Sequence, residues 1–253
     1  MIKTPEDFYQ KDRDGNYLLD ASGNRKIVAL PTDQSIGEGS VWYGDFLFED
    51  LNNDGVIDEK DRTYIGNPEP KFTLGFTNNF TWRDFDASIF LHAVVGNKVF
   101  NYVRQQYANP SPNAGGRLKE VVNHALVGKI DPEGGNDFTN YHVVNAETAT
   151  IQRVWPADLN NNNRVSDRFV EDASYLRVKN IVLGYTLPGK LTRKAYIERL
   201  RFYVNIQNPF TITGYDGYDP EIGAYNQGVL LRGIDHARYP TQRIYTIGLN
   251  INF

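Results

Sequence analysis

The chain has 253 residues, of which 40% are hydrophobic and 13% aromatic, and its formal net charge is −4. This charge excludes the strongly basic surface of a nucleic-acid-binding protein, and the lack of cysteine excludes disulfides and thiol chemistry. The mean hydropathy is −0.51, and polar residues interrupt every apolar stretch. Membrane-spanning helices, which need about 20 consecutive apolar residues, are therefore excluded. Membrane-spanning strands, which are about 10 residues long and half polar, are not.

Residues 1–45 are polar, rich in turn-forming residues and weakly patterned. Asp12–Gly15 and Ala21–Asn24 have the composition of turns. We predict a loop region here, or a segment that precedes the patterned strands.

An acidic loop at 50–61 has the spacing of a calcium-binding loop. Oxygen-bearing side chains stand at positions 1, 3, 5, 9 and 12, a main-chain carbonyl is available at position 7, and Gly55 occupies position 6, where the turn needs positive φ. The predicted Ca²⁺ ligands are Asp50, Asn52, Asp54, Val56, Asp58 and Asp61. Position 12 is Asp rather than the usual Glu, and no helical pattern flanks the loop. The alternative is an Asn/Asp-rich turn that binds no metal.

Five segments alternate apolar and polar side chains, which is the pattern of strands with one apolar face. The predicted strands cover 71–82, 85–95, about 174–187, 200–208 and 243–253. The pair Arg83-Asp84 predicts a tight hairpin turn between the first two strands. The last strand ends on Phe253, without a polar tail.

The links between these strands alternate in length. Two residues join the first pair, a long insertion at 97–170 follows, a turn around Pro188-Gly189 joins the third and fourth strands, and a long loop at 210–240 precedes the last. A short amphipathic helix is predicted within the insertion from the spacing of Leu118, Val121, Val122, Ala125 and Leu126. Alternate links of an up-and-down sheet lie at opposite ends, so one end has short turns and the other large polar loops. This asymmetry is typical of outer-membrane barrels, and we predict an all-β, antiparallel, up-and-down transmembrane β-barrel.

Two alternatives remain open. Strand alternation also fits a soluble β-sandwich whose apolar faces form a core, here a calcium-stabilised carbohydrate-binding module. Asp219 and Glu221 are close enough in sequence to suggest the carboxylate pair of a glycoside hydrolase, although an Asp-Pro step is more typical of a surface turn. We interpret His92, on the polar face of its strand, as a hydrogen-bonding residue, and we predict no enzymatic activity.

Five or six strands do not close a transmembrane barrel, since bacterial barrels have about eight or more. An open edge in lipid leaves unpaired backbone groups, each costing several kcal/mol. The opening segment 1–7 lacks the apolar core of a signal peptide. We therefore expect further strands to precede Met1 in a longer protein.

Several motifs, in order along the chain, resemble those of SusC/RagA-type TonB-linked outer-membrane proteins of Bacteroidetes. The resemblance covers about residues 44–253. Its motifs are Asp50–Asp58, Asp61-Arg62, Ile65–Pro68, Pro70–Phe72, Phe85–Phe90, Asp172–Pro188, Gln207–Thr211, Gly217–Ile222 and the closing strand.

The resemblance implies that the chain is the C-terminal portion of a 22-stranded barrel, with long extracellular loops that contain short helices. Residues 1–45 would form an extracellular loop region or a preceding barrel segment, and residues 46–253 the C-terminal strands and loops. Such proteins lie in the outer membrane and contact its lipid. Phe253 would be recognised by the barrel-assembly machinery.

The resemblance also implies a function. Members of the family import glycans or peptides together with a SusD-like lipoprotein that sits over the extracellular mouth. Energy comes through TonB, which contacts an N-terminal segment that this chain does not include. The sequence does not identify the transported molecule.

Overall fold

The computed structural model describes residues 1–111, 115–223 and 231–253. The chain divides into two compact units, the first formed by Met1–Tyr64 with Arg104–Ser166 and the second by Ile65–Val103 with Asp167–Phe253. The predicted boundary between residues 45 and 46 stays a prediction. Throughout the described ranges, no helix is both long and apolar enough to cross a bilayer.

The strands of the first unit are all short, whereas the second unit contains both long and short strands. They are β1 (Leu30–Pro31), β2 (Val56–Ile57), β3 (Phe72–Trp82), β4 (Phe85–Val95), β5 (Lys98–Asn101), β6 (Val127–Lys129), β7 (Tyr141–Val143), β8 (Val170–Asp172), β9 (Tyr175–Thr186), β10 (Arg199–Thr213), β11 (Ile234–Asp235) and β12 (Ile244–Asn252). The α-helices are α1 (Tyr102–Tyr107) and α2 (Gly189–Thr192), and 3₁₀ helices cover Pro5–Phe8, Glu59–Asp61, Lys119–Asn123, Phe138–Asn140, Asp167–Phe169 and Arg193–Ala195.

The second unit is built on a five-stranded antiparallel sheet in the order β12-β10-β9-β4-β3. The five strands stand side by side in the same order in which they occur along the chain. The topology of the sheet is therefore up-and-down. All five predicted strands are therefore confirmed, and so is the two-residue turn at 83–84. A smaller sheet, β11-β5-β8, lies in the same unit.

A one-residue irregularity in β9 decides which side chains share a face of this sheet. Phe90 pairs with Asn180, but the next residue, Leu91, pairs with Val178, so Lys179 is an extra residue. Such a bulge reverses the side-chain phase of its strand. Beyond the bulge, Arg177 lies opposite His92 on the polar face.

The first unit has its own apolar core, centred on Phe8 and Tyr43, whose rings meet edge-on at 5.1 Å. A buried polar group lies in the same unit, where Arg153 Nε donates to Asp45 Oδ1 over 3.2 Å and Asn162 Nδ2 donates to the same oxygen over 3.0 Å. Burial raises the pKa of Asp45, while Arg153 opposes that rise. The Asn-rich run 158–164 thus supplies structural hydrogen bonds.

The structure corrects two details of the sequence prediction. The predicted helix around 118–126 is only a 3₁₀ helix, Lys119–Asn123. The chain beyond it is extended, and Ala125 N–H donates to the Ile151 carbonyl over 2.9 Å. Strand β10 continues to Thr213, five residues beyond its predicted end.

Candidate functional surfaces

One face of the five-stranded sheet carries a row of aromatic side chains at the end with the short turns. Trp82, Phe85, Tyr185 and Phe202 are successive cross-strand neighbours on β3, β4, β9 and β10. The Phe85 and Tyr185 rings lie 4.6 Å apart, and the Trp82 and Phe85 rings stack at 6.4 Å. We call this side of the sheet the apolar face.

The apolar face continues above the aromatic row as a band of aliphatic and aromatic residues. The next row is Phe80, Ala87, Leu183, Val204 and Ile247, one residue from each strand. Strand β3 has 11 residues, so at about 3.3 Å per residue it is roughly 35 Å long. Tilted by the roughly 40° of barrel strands, such a band would be about 25 Å tall, which matches the hydrocarbon region of an outer membrane.

Side chains of the apolar face do not enclose a common core. If the sheet belonged to a β-sandwich, the side chains of this face would meet in its interior. Four of them are instead about half exposed: Phe72 50%, Leu183 55%, Phe202 46% and Leu249 48%. The exposed apolar residues of this face are contiguous, whereas those of a soluble monomer are scattered. A contiguous apolar patch marks an interaction surface.

The opposite face of the sheet, here the polar face, carries charged and hydrogen-bonding groups. Arg201 on β10 reaches across β9 to Asp86 on β4, with Nε 2.8 Å from Oδ1. The bridge passes over Gly184, where a Cβ atom would collide with both the guanidinium and the carboxylate. His92 also lies on this face, with Nδ1 3.4 Å from Tyr175 Oη.

A buried ion-pair cluster attaches a long loop to the polar face. Arg177 donates from Nη2 to Asp219 Oδ1 over 2.5 Å and from Nη1 to Glu221 Oε2 over 2.6 Å. Lys179 Nζ lies 2.7 Å from Glu221 Oε2. The Thr241 N–H donates to Asp219 Oδ2 over 2.7 Å, which brings a second part of the loop to the same carboxylate.

This cluster explains the two carboxylates considered above as a hydrolase pair. Burial alone would raise the pKa of Asp219, but hydrogen bonds from Thr241 and Arg177 outweigh burial and lower that pKa to about 2. A general acid of a glycosidase needs a raised pKa. Asp219 and Glu221 are engaged by cations and backbone, so their arrangement fits an anchor rather than a catalytic pair.

The acidic loop of the first unit folds as a closed turn. Asp50 Oδ2 accepts from the Gly55 N–H over 2.8 Å, and Gly55 has a φ of 87°. Asp61 closes the loop, because its carboxylate accepts from the N–H groups of Leu51 and Asp58 over 2.9 and 2.8 Å. Positions 1 and 12 of the predicted calcium loop are thus both directed into the turn.

A lysine supplies the positive charge at this loop. Lys60 Nζ lies 3.3 Å from Asp54 Oδ2 and 3.7 Å from Asp58 Oδ2. Hydrogen bonds from Asn52 and Val56 lower the pKa of Asp54. Among the described residues, no three His, Cys, Asp or Glu side chains converge as a preformed metal site. The assignment of Ca²⁺ ligands stays a prediction.

No family model matches the sequence. The chain is 32% identical over 214 residues to TonB-dependent receptor P3 of Formosa agariphila, a match that covers 83% of this chain and 19% of the relative. It is 33% identical over 251 residues to TonB-dependent receptor P39 of the same organism, covering 94% and 21%. TonB-dependent receptor SusC of Bacteroides thetaiotaomicron is 28% identical over 208 residues, covering 82% and 17%.

The chain is a homologue of the SusC/RagA-type TonB-dependent receptors. It spans about one fifth of the length of these relatives. The RagAB peptide importer in its closed-closed state has the same fold over 99% of this chain and 21% of its own, with a TM-score of 0.58 and 22% identity. The open-open state gives a TM-score of 0.57 at 19% identity, covering 94% of this chain and 24% of that one.

Homology to these receptors places the chain in the outer membrane, as the sequence predicted. The relatives and structural neighbours are receptors and transporters rather than enzymes. The two faces of the five-stranded sheet thereby become the candidate functional surfaces of a receptor segment.

Proposed function

We propose that this chain forms the C-terminal strands of a 22-stranded barrel that imports glycans or peptides across the outer membrane. The observation that carries the proposal is the two-faced sheet, in which an exposed apolar band backs a polar face. Lipid would contact the apolar face, and the polar face would line the barrel interior. The chain's own contribution is physical passage rather than cleavage of the substrate.

The edges of the sheet support a larger barrel. Within the described residues, β3 and β12 each pair on one side only. In a bilayer such free edges would leave backbone groups without partners, at several kcal/mol each. In this proposal, the remaining strands of the receptor pair with both edges.

The unequal links give the proposed orientation. The turn at 83–84 and the link at 187–198 would face the periplasm, as short turns do in outer-membrane barrels. The long links at 97–170 and 210–240 would then face outside and help form the surface for a SusD-like lipoprotein and for substrate. TonB would act through parts of the receptor outside this chain, and the barrel-assembly machinery through Phe253.

The choice between glycan and peptide stays open in this proposal. SusC is among the sequence relatives, and the RagAB peptide importer is among the structural neighbours. The polar face offers amide, hydroxyl, guanidinium and carboxylate groups, which hydrogen-bond either class of substrate.

Single-cysteine labelling of the intact receptor in cells tests the two-faced wall. The chain has no cysteine, and Phe76 and Thr77 are adjacent, exposed and on opposite faces of β3. A Thr77→Cys variant is expected to react with a small water-soluble maleimide, whereas Phe76→Cys should react at least about tenfold more slowly, because lipid excludes the reagent and the thiolate.

The same two variants test import. Attaching a bulky maleimide at Thr77→Cys is expected to slow uptake of the receptor's glycan or peptide, while the same treatment of Phe76→Cys leaves uptake unchanged. Equal labelling of both cysteines would show that both faces meet water. Labelling at Thr77→Cys without any effect on uptake of either nutrient class would contradict an import function for this segment.

We also propose that the loop at 50–61 binds Ca²⁺, which would stiffen an exposed loop. Its support is the closed turn, with Asp50 and Asp61 directed into it, and the anionic Asp54 and Asp58 beside Lys60. In a Ca²⁺ complex, the ion would displace the Lys60 ammonium from its position between the Asp54 and Asp58 carboxylates. Oxygen ligands at this spacing suit a hard divalent cation.

Trypsin cleavage after Lys60 and Arg62 measures this stiffening. Ca²⁺ at about 100 times its Kd is expected to slow cleavage about 100-fold, since a ligand stabilises the form that binds it. The double variant Asp54→Asn, Asp58→Asn should abolish the protection. Asp20→Asn is the matched control, because Asp20 accepts similar backbone hydrogen bonds in another exposed turn. Identical cleavage with and without Ca²⁺ would refute the site.

A further inference from the structure

A basic turn lies at the short-link end of the five-stranded sheet. The link between β9 and β10 carries Lys190, Arg193 and Lys194, all exposed, against a single acidic residue, Glu198. Within the portion of the chain that the structure describes, none of the three cations forms an ion pair. Their charge is available to a partner outside the chain.

The turn is held in one place by backbone hydrogen bonds. Leu187 N–H donates to the Leu200 carbonyl over 2.8 Å, and Glu198 N–H donates to the Asn252 carbonyl over 2.9 Å. Thr192 is buried beneath the turn. The backbone that carries the cations is therefore anchored to the sheet at both ends of the link, at the level where β9, β10 and β12 end.

Apolar and aromatic side chains accompany the cations. Leu191 is 60% exposed and Tyr196 is 90% exposed. Tyr196 also has a φ of 58°, which non-glycine residues rarely adopt, so its backbone is strained at the point where its ring is exposed. Tyrosines with a polar tip and apolar body are typical of the level where membrane meets water.

The turn is continuous with the aromatic row of the apolar face. Tyr185 and Phe202, which belong to that row, lie two residues before Leu187 and four residues after Glu198, the two ends of the link. A bilayer against the apolar face would bring its headgroups to the height of Lys190 and Lys194. The chemistry there is cationic, with apolar residues that can enter the acyl boundary, and it complements an anionic phospholipid.

We propose that this basic turn, residues 189–197, binds the phosphate headgroup of an anionic phospholipid in the inner leaflet through Lys190, Arg193 and Lys194. The inference rests on the proposed function, because only a lipid-facing apolar face puts headgroups at this level. Arg193 supplies a planar fork for phosphate oxygens, and the lysines supply compact charges on flexible stems.

Native mass spectrometry of the intact receptor tests the turn, with phosphatidylglycerol and phosphatidylcholine offered in equal amounts. The unmodified receptor is expected to retain phosphatidylglycerol in preference to phosphatidylcholine. In the triple variant Lys190→Gln, Arg193→Gln, Lys194→Gln this preference should fall at least about tenfold. Each cation near an anionic surface contributes several-fold to the affinity for it. The matched control is Arg13→Gln, Lys26→Gln, Lys119→Gln, which removes the same charges from exposed positions in the first unit and should keep the preference.

Four results would overturn the inference. The first three are an unchanged preference in the triple variant, an equal loss in the control, and displacement of the lipid by inorganic phosphate at the same concentration. Retention of lipopolysaccharide instead of phospholipid would also overturn it, because this end would then face the outer leaflet. Failure of the proposed function is distinguishable, because cysteine labelling at 76 and 77 and nutrient uptake report it independently of lipid choice.

Discussion

Replacing Ile89 with Arg is expected to destabilise the receptor in a bilayer by about 2–4 kcal/mol. Ile89 lies on the apolar face of β4, between Asn78 of β3 and Ile181 of β9, near the middle of the band. In the proposed wall it meets the centre of the hydrocarbon, where an arginine loses its hydration. Urea unfolding of the receptor in lipid vesicles measures the change.

Two controls make this prediction specific to a membrane. Ser88→Arg places the same charge on the polar face of the same strand, and should cost less than about 1 kcal/mol. Val95→Arg keeps the charge on the apolar face but moves it to the end of β4, where the cost should fall to about 0–1 kcal/mol. A soluble core has no such gradient along a strand. Equal destabilisation by Ile89→Arg and Val95→Arg would therefore count against lipid contact.

The strands were predictable because the local sequence of each strand determines which side chains lie on each face of the sheet. A period of two places alternate side chains on opposite sides without reference to the rest of the molecule. The turn at 83–84 and the unequal links were predictable for the same reason, since they are read from local composition and spacing. The closed conformation of the acidic loop also follows from local residues, because Asn53 and Gly55, two residue types that tolerate positive φ, occupy its positions with φ of 60° and 87°.

Features that depend on pairing between strands were not predictable. Strand β10 passes through Asn208 and Pro209, which indicate a loop on local grounds because proline lacks an N–H. The structure accommodates them as a register shift between Gln207 and Phe210, with Asn208 at a φ of 49°. The strand then continues, because its far end pairs with β9.

The Arg177 cluster is the functional feature that sequence reasoning missed. Continuing the alternation of Ile181 and Leu183 toward the start of β9 would put Arg177 on the apolar face. The bulge at Lys179 reverses that phase and turns Arg177 toward Asp219. A basic residue at a position that the pattern assigns to lipid was the available signal, since an unpaired charge there is costly.

Replacing Arg177 with Met is expected to release the loop that this cluster holds. The side chains of Arg177 and Asp219 are only 4 and 5% exposed, and removing one partner of a buried pair typically costs about 3–5 kcal/mol, because the other charge is left buried. Trypsin cleavage after Arg232 and Arg238 reports opening of the loop. If local opening becomes easier by that amount, cleavage should accelerate by about 100-fold or more.

Lys179→Met is the matched control. Lys179 contacts only Glu221 of this pair of carboxylates, and the Glu221 side chain is 38% exposed. Solvent screens such a pair, so its loss should cost less than about 1 kcal/mol. Similar cleavage rates in Arg177→Met and Lys179→Met would show that the buried pair does not hold the loop.

The acid dependence of the same cleavage follows from Asp219. Its pKa is about 2 in the folded protein, below the usual value of about 3.9 for an unfolded chain. A carboxyl whose pKa is lowered on folding contributes stability that is fully present above its unfolded pKa. This stability is lost as the pH falls through its folded pKa.

In the parent protein, the loop should therefore stay attached above about pH 4 and loosen as the pH falls toward 2. An acid protease replaces trypsin in this assay. Arg177→Met removes one of the hydrogen bonds that lower the pKa of Asp219 against the effect of burial, so this pKa should rise and loosening should begin at a higher pH. An identical acid profile in both proteins would mean that Arg177 does not stabilise the Asp219 carboxylate.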